Sequence, residues 1–395
     1  MRKFYVASEE EIASGETTDV YFVRTKEILK AKKMENIRVL AEVTAGGLPE
    51  NWPWGILCGV EEVARLFEGK KVDVDCMPEG TLFKPFDQNG VRVPVLTVKG
   101  AYGEFCEFET PMLGLLCQAS GVATMAARMR KLVGNRILMA FGVRRIHPAM
   151  APMVDRAAYV GGFDGVSSLI GAKVIGKKPM GTMPHSLIIV FGDQVKAWRA
   201  FDEVMPEDVP RIALADTYWD EKAEAIKAAE NLGKRLAGVR LDTPGSRKGN
   251  FASIVREVRW ELDYRGFNHV KIFVSGGIDD KNIKELAEAG ADGFGVGTSL
   301  SNAPTIDFAM DIVEVEGKPA AKRGKLGGRK NVFRCERCLV DIVSTKSSER
   351  CRRCGRKMVP AMVPLVRKGK IVAKLPGPEA IRDRVLKQLE KISEV

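Results

Sequence analysis

The chain has 395 residues, 45% hydrophobic and 29% charged, with 62 Lys plus Arg against 51 Asp plus Glu and a formal net charge of +11. That composition belongs to a globular chain of two or three domains and excludes a low-complexity or disordered one. No apolar run approaches the ~18–20 uncharged residues of a membrane span, and the opening residues (MRKFYVASEEE) lack a signal-peptide core, so a cytoplasmic protein is expected.

In chain order, residues 36–109 are rich in strand signals: Ile37–Val43, Val72–Cys76, Val91–Val98 and a stretch near Ala101–Phe108, interrupted by a helix over Gly59–Phe67. They predict an α+β sandwich domain over residues 1–112. A helix over Pro111–Leu132 leads into a second domain, residues 113–309, where short apolar runs alternate with helical patterns. The clearest runs are Arg136–Phe141, Arg211–Ala215, Gly238–Leu241, Val270–Val274 and Gly293–Val296, with helices such as Glu221–Leu232 and Asp280–Ala289 between them. Each run ends in a polar or glycine-rich cluster, as in a parallel α/β barrel whose site is assembled from the βα loops. About six or seven strands are visible, so an irregular or open α/β barrel is expected.

The remaining C-terminal region, 310–395, holds a Gly/Lys/Arg-rich connector (Lys322–Lys330), two cysteine pairs, a hairpin around Lys368–Lys370 and a final helix with an Ile381, Val385, Leu389, Ile392 stripe. It also holds the charge: residues 318–395 carry 22 basic and 7 acidic side chains, against 40 and 44 in residues 1–317. Cys335, Cys338, Cys351 and Cys354 form two C-x-x-C knuckles within a module at 332–360, a spacing that can close a tetrahedral structural Zn²⁺ shell. The arginines around them offset the charge of that ligand set and also suggest an RNA-binding barrel protein, but Phe333 is the one nearby aromatic for base stacking. Cys58, Cys76, Cys106 and Cys117 read as buried packing residues.

Among the strand-end loops, Asp242–Ser246, Ser275–Gly277 and Gly295–Ser299 are suited to phosphate, because short glycine-bearing turns expose backbone N–H groups ahead of a helix. Of three histidines, His147 and His269 read as local structural residues. His185 lies before an apolar run, at a loop-to-helix junction on the expected site face; taken alone it also reads as structural.

Together, Thr17–Phe22 (TTDVYF), Phe141–Arg145 (FGVRR), Gly162–Gly165 (GFDG), Gly181–Ser186 (GTMPHS), Asp216–Tyr218 (DTY), Arg240–Asp242 (RLD), Ser275–Gly277 (SGG) and Gly295–Thr298 (GVGT) resemble the nicotinate phosphoribosyltransferase family over nearly the whole chain. The four-cysteine tail resembles the zinc-knuckle-like module of its archaeal-type members. The resemblance implies synthesis of nicotinate mononucleotide and pyrophosphate from nicotinate and 5-phosphoribosyl-1-pyrophosphate in NAD biosynthesis, with ATP as co-substrate, Mg²⁺ accompanying both phosphorylated substrates and a homo-oligomer with shared sites. It makes His185 the phosphorylated residue. It places Asp216 and Asp242 near ribose or metal, Arg240 on the diphosphate, Arg144 on a carboxylate or phosphate, and Phe141 against the pyridine with Tyr21 of a neighbouring subunit. Asp19 and Asp164 are further substrate-binding residues, and Gly276, Gly277, Gly297 and Thr298 would hold the 5′-phosphate. Nicotinamide or quinolinate phosphoribosyl transfer is the nearest alternative; a nucleic-acid or membrane partner is not expected.

Overall fold

A computed structural model describes residues 2–395. It divides into two compact units, Met125–Asn302 and Met1–Thr124 with Ala303–Val395, and the division falls inside the helix Glu109–Val133.

The unit Met125–Asn302 is built on six parallel strands: β1 (Ile137–Ala140), β2 (Gly165–Val166), β3 (Arg211–Leu214), β4 (Leu236–Leu241), β5 (Lys271–Ser275) and β6 (Gly293–Val296). Their order is β2-β1-β6-β5-β4-β3, so the sheet is an open, irregular barrel with β2 and β3 at its free edges. All five predicted runs are strands, and the two-residue β2 is the addition. The strands are short and almost wholly buried, as expected where both faces are covered. Met139, Ile212 and Phe273 make a small apolar cluster, while the outer helices bury one stripe each, such as Ala225, Ala228 and Ala229 of Glu221–Leu232. Asp220 caps that helix through Ala223 N–H, and Gly233 ends it.

The other unit carries a seven-stranded antiparallel sheet with helices on one face. Its order is Lys318–Pro319, Phe308–Val315, Arg38–Ala45, Pro94–Ala101, Val72–Cys76, Val363–Arg367, Lys370–Ile371. Val39, Ala41, Val43, Val74 and Val98 pack against Val63 of the helix Val60–Leu66, Phe67 just after it, and Met112 and Leu116 of Glu109–Val133. The stretch near Ala101–Phe108 is a correction: it forms two helical turns, Tyr102–Phe105 and Cys106–Phe108, because Phe105, Cys106 and Phe108 bury at helical spacing. Two segments of the tail, Phe308–Val315 and Val363–Arg367, are strands of this sheet. The four cysteines sit in a three-stranded sheet of Asn331–Cys335, Val340–Ser344 and Val359–Pro360 and the turns around it.

The second face of the seven-stranded sheet explains part of the tail's charge. Asp311, Glu42, Thr97 and Asp75 stand opposite one another in register across four strands. Like charges directly opposite on one face repel. Here the connector supplies most of the counter-charges: Lys322 Nζ and Lys325 Nζ reach Asp311 at 2.6 and 2.5 Å and Lys330 Nζ reaches Glu42 at 2.9 Å, while Arg367 of the strand Val363–Arg367 pairs with Asp75. Both side chains of the Lys330–Glu42 pair are nearly inaccessible, so that pair is screened little by salt. No described helix is long and apolar enough to cross a membrane.

Candidate active site

The C-terminal ends of β1, β4, β5 and β6 converge on one narrow cavity of about 90 Å³, lined by Phe141, Arg144, Arg240, Asp242, Gly276, Gly277, Gly297 and Thr298, with Arg145, Ser275 and Gly295. Phe141 leaves β1 directly, and Gly295 of β6 makes room for it: a Cβ there would lie 2.5 Å from the ring. Gly276 and Gly277 turn sharply after β5 with φ of +76° and +67°, a conformation that strains other residues. Arg240 is the penultimate residue of β4; its Nη2 lies 3.4 Å from Asp242 Oδ2, and it donates to Thr182 Oγ1 in the segment leading to His185.

Beside this cavity stand two carboxylates and an imidazole. His185 opens the helix His185–Phe191 after Pro184, and its Nε2 lies 3.7 Å from Asp242 Oδ2 and 3.9 Å from Asp216 Oδ1. Its Nδ1 is 3.1 Å from Thr217 Oγ1. Asp242 Oδ1 accepts a hydrogen bond from Ser275 at 2.7 Å, and Asp216 Oδ2 accepts one from Asp242 N–H at 2.9 Å. Asp216 Oδ1 is buried and has no hydrogen-bond partner among the described residues.

The environment separates the two acids. Burial pushes Asp216 up to about 6, and the charges of His185 and Arg240 offset that only in part. Asp242 is also partly buried, but His185, Ser275 and Arg240 outweigh burial and bring it down to about 2. The Asp242 carboxylate in turn raises the pKa of His185, against burial and with help from Asp216. A fixed anion, a carboxyl that is costly to ionise and an imidazole inclined to hold a proton therefore meet at one strand-end site.

The other predicted residues are placed elsewhere. Asp164 does not line the cavity: its Oδ2 pairs with Arg130 at 2.6 Å and accepts from Leu138 N–H at 2.9 Å, near the N-terminal end of β1. Asp19 and Tyr21 belong to the antiparallel unit. Asp19 precedes the helix Val20–Ala31 and exchanges hydrogen bonds with Thr110, and Tyr21 is 56% exposed on that helix.

Sequence inspection missed three residues. Lys248, in the loop after β4, donates from Nζ to the Gly276 carbonyl and lies 4.4 Å from the Phe251 ring centroid; burial lowers its pKa. A lysine in a loop beginning at Asp242 was the available signal. Thr217 reads as a turn residue beside Asp216, and Glu224 as an ordinary acid in a first helical turn. Lys248 reaches the turn at Gly276, and Thr217 touches His185.

In the antiparallel unit, one potential ligand atom from each of Cys335, Cys338, Cys351 and Cys354 lies within 4.8 Å of the others, and Cys335 Sγ and Cys354 Sγ are 3.6 Å apart. A tetrahedron of four sulfurs at ~2.3 Å from a metal has edges of about 3.8 Å. The cluster therefore fits a tetrahedral ion.

Comparison with known proteins agrees with the architecture. Sequence models of the quinolinate phosphoribosyl transferase N-terminal and C-terminal domains match residues 19–120 and 122–311. The nicotinate phosphoribosyltransferase pncB1 of Mycobacterium tuberculosis is 33% identical over 322 residues, 76% of this chain and 68% of that protein. The nicotinate phosphoribosyltransferase of Bacillus subtilis is 30% identical over 231 residues, 56% of this chain and 46% of that protein. Among solved structures, nicotinate-nucleotide pyrophosphorylase from Pyrococcus furiosus superposes with a TM-score of 0.95 at 54% identity, over 99% of both chains. Human nicotinic acid phosphoribosyltransferase shares the fold, with a TM-score of 0.71 at 20% identity over 95% of this chain and 94% of that one.

Proposed function

This chain belongs to the nicotinate phosphoribosyltransferase family, and from that premise we propose that it converts nicotinate and 5-phosphoribosyl-1-pyrophosphate to nicotinate mononucleotide and pyrophosphate in NAD biosynthesis, with ATP hydrolysis coupled through His185. The observation that carries the proposal is the joining of His185, Asp216 and Asp242 to a cavity lined by Phe141, Arg144, Arg240 and the glycine turns.

Departure of pyrophosphate leaves positive charge on the ribose, which the Asp242 carboxylate is placed to stabilise. Arg240 balances the leaving diphosphate, Arg144 meets the nicotinate carboxylate or a phosphate, and Phe141 stacks on the ring. The turns at Gly276, Gly277, Gly297 and Thr298 receive the 5′-phosphate, with Lys248 in reach of the same loop. Mg²⁺ entering with the substrate would be held by Asp216 and Asp242 and would neutralise diphosphate charge; the unpartnered buried oxygen of Asp216 suits a cation. In the ATP reaction the γ-phosphoryl group bonds to a His185 nitrogen as its bond to ADP breaks, and hydrolysis of that P–N bond later returns phosphate and the histidine. We assign no substrate contact to Asp164, whose carboxylate is committed to Arg130 and Leu138. Asp19 and Tyr21 would act from a neighbouring subunit of a homo-oligomer; Val20, Tyr21 and Ile28 leave apolar surface exposed on their helix.

Parallel assays with nicotinate, nicotinamide and quinolinate, with and without ATP, test the reading. Turnover is expected with nicotinate, stimulated by ATP, and His185→Ala should lose ATP hydrolysis and acid-labile phosphate while retaining slow phosphoribosyl transfer. Equal or faster turnover of nicotinamide or quinolinate rejects the substrate assignment, and phosphorylation retained in His185→Ala rejects the histidine's role.

For the four cysteines the proposed ligand is structural Zn²⁺. About one zinc per chain is expected by elemental analysis, closing all four thiolate positions. Cys338→Ser should lower that content and make the protein sensitive to a chelator. Zinc-free protein as isolated, or unchanged content in the variant, removes the site.

A further inference from the structure

The loop that follows β3 carries Asp216 and Thr217, which face the two ring nitrogens of His185 at 3.9 and 3.1 Å. Nothing apolar in the next two residues ties it down: Tyr218 and Trp219 are 46% and 67% exposed. What holds it is a carboxylate. Glu224, fully buried in the first turns of the helix Glu221–Leu232, accepts three consecutive backbone N–H groups of the loop: Thr217 on Oε2 at 3.0 Å, and Tyr218 and Trp219 on Oε1 at 2.8 and 3.0 Å. Gln194 Nε2 adds a longer contact at 3.4 Å. A buried carboxylate is costly unless hydrogen-bonded, and here its acceptor capacity is spent on the loop that frames His185.

We propose that Glu224 is a positioning residue for His185, acting through the clamped loop and Thr217 Oγ1. The clamp sets where Thr217 meets Nδ1, and Thr217 sets the ring plane that points Nε2 at the two aspartates. The hydroxyl either donates to a bare Nδ1 or accepts from a protonated one, so it serves the ring in both states. The consequence for catalysis rests on the proposed phosphohistidine; the consequence for the resting imidazole does not.

Glu224→Gln keeps the shape but puts an amide NH₂ against a backbone N–H, since one amide oxygen cannot serve both sides of the loop. Thr217→Val removes the hydroxyl alone, and Thr217→Ser restores it. In Glu224→Gln and Thr217→Val, the ratio of ATP hydrolysed to pyrophosphate formed is expected to fall about 10- to 100-fold, as when an outer hydrogen-bond partner is removed. Thr217→Ser should keep the wild-type ratio. With three histidines in the chain, ¹⁵N-imidazole spectra resolve His185, whose tautomer balance should change in Thr217→Val without any substrate present. If Glu224→Gln does not fold, Thr217→Val carries the test. A wild-type ratio and an unchanged His185 spectrum in Thr217→Val would overturn the inference. Acid-labile phosphate persisting in His185→Ala would instead fail the phosphohistidine reading and leave the spectroscopic result standing.

Discussion

Asp242→Asn is expected to lower kcat for phosphoribosyl transfer by about 100- to 1,000-fold, the usual cost of deleting a group aimed at transition-state charge. The substitution is nearly isosteric, and its carboxamide oxygen can still accept the Ser275 hydroxyl that Asp242 holds at 2.7 Å. What it removes is charge. Burial opposes ionisation of Asp242, but His185, Ser275 and Arg240 bring its pKa to about 2, so the wild-type side chain is an anion at every working pH. In a partly desolvated cavity that anion is worth far more than in water, and worth most when the ribose is most cationic. The loss should therefore fall on kcat more than on KM. A second effect follows from the same geometry. Asp242 is the leading cause of the raised pKa of His185, so the variant's His185 should titrate lower by NMR. Turnover within about threefold of wild type would show that the negative charge stabilising the reacting sugar comes from elsewhere.

How far such a site can be seen in a sequence depends on whether the signal is local. Asp216, Asp242, Gly276, Gly277, Gly297 and Thr298 were visible because each follows an apolar run, and a parallel barrel gathers strand ends onto one face, whereas Arg240, inside its run, was marked only by the family resemblance. Phe141 and Arg144 follow β1 by the same logic. Asp164 shows the limit. Its loop lies in the right part of the chain, but it precedes β2, and its side chain turns back toward the start of β1. Glu224 and Lys248 were hidden for a different reason: an acid in a first helical turn and a lysine in a loop are common, and only the fold brings them to Thr217 and Gly276.

Long-range pairing was hidden in the same way. Phe308–Val315 and Val363–Arg367 read as parts of a separate tail, because an antiparallel strand carries no local mark of a partner far away in the chain. Their pairing also resolves part of the charge asymmetry. The basic connector is a poor candidate for binding external polyanions at Lys322, Lys325 and Lys330, since these lysines are engaged with Asp311 and Glu42. The barrel unit, which handles the phosphorylated substrates in the proposed reaction, relies instead on a few placed cations. Arg144 and Arg240 line its cavity, and Lys248 reaches the Gly276 turn.

Asp216→Asn should separate stability from activity. The Asp216 side chain is 3% exposed, and burial lifts its pKa from 3.8 to about 6. A carboxyl whose pKa is higher in the folded than in the unfolded chain favours folding when protonated, so its contribution is complete below about pH 4 and is lost as the pH rises through about 6. Two pKa units correspond to about 3 kcal/mol, an upper bound on what ionised Asp216 costs the fold at neutral pH. Asparagine does not ionise, and its carboxamide oxygen can still accept from Asp242 N–H. Calorimetric melting as a function of pH should therefore find the variant and wild type equal near pH 4 and the variant more stable at pH 7.5. Phosphoribosyl transfer by the variant should fall at the same time, because the unpartnered oxygen that destabilises the resting protein is the one proposed to meet an incoming cation. A variant no more stable than wild type at pH 7.5 would mean that Asp216 is already compensated in the resting site. A variant more stable and fully active would mean that the buried charge of Asp216 takes no part in the reaction.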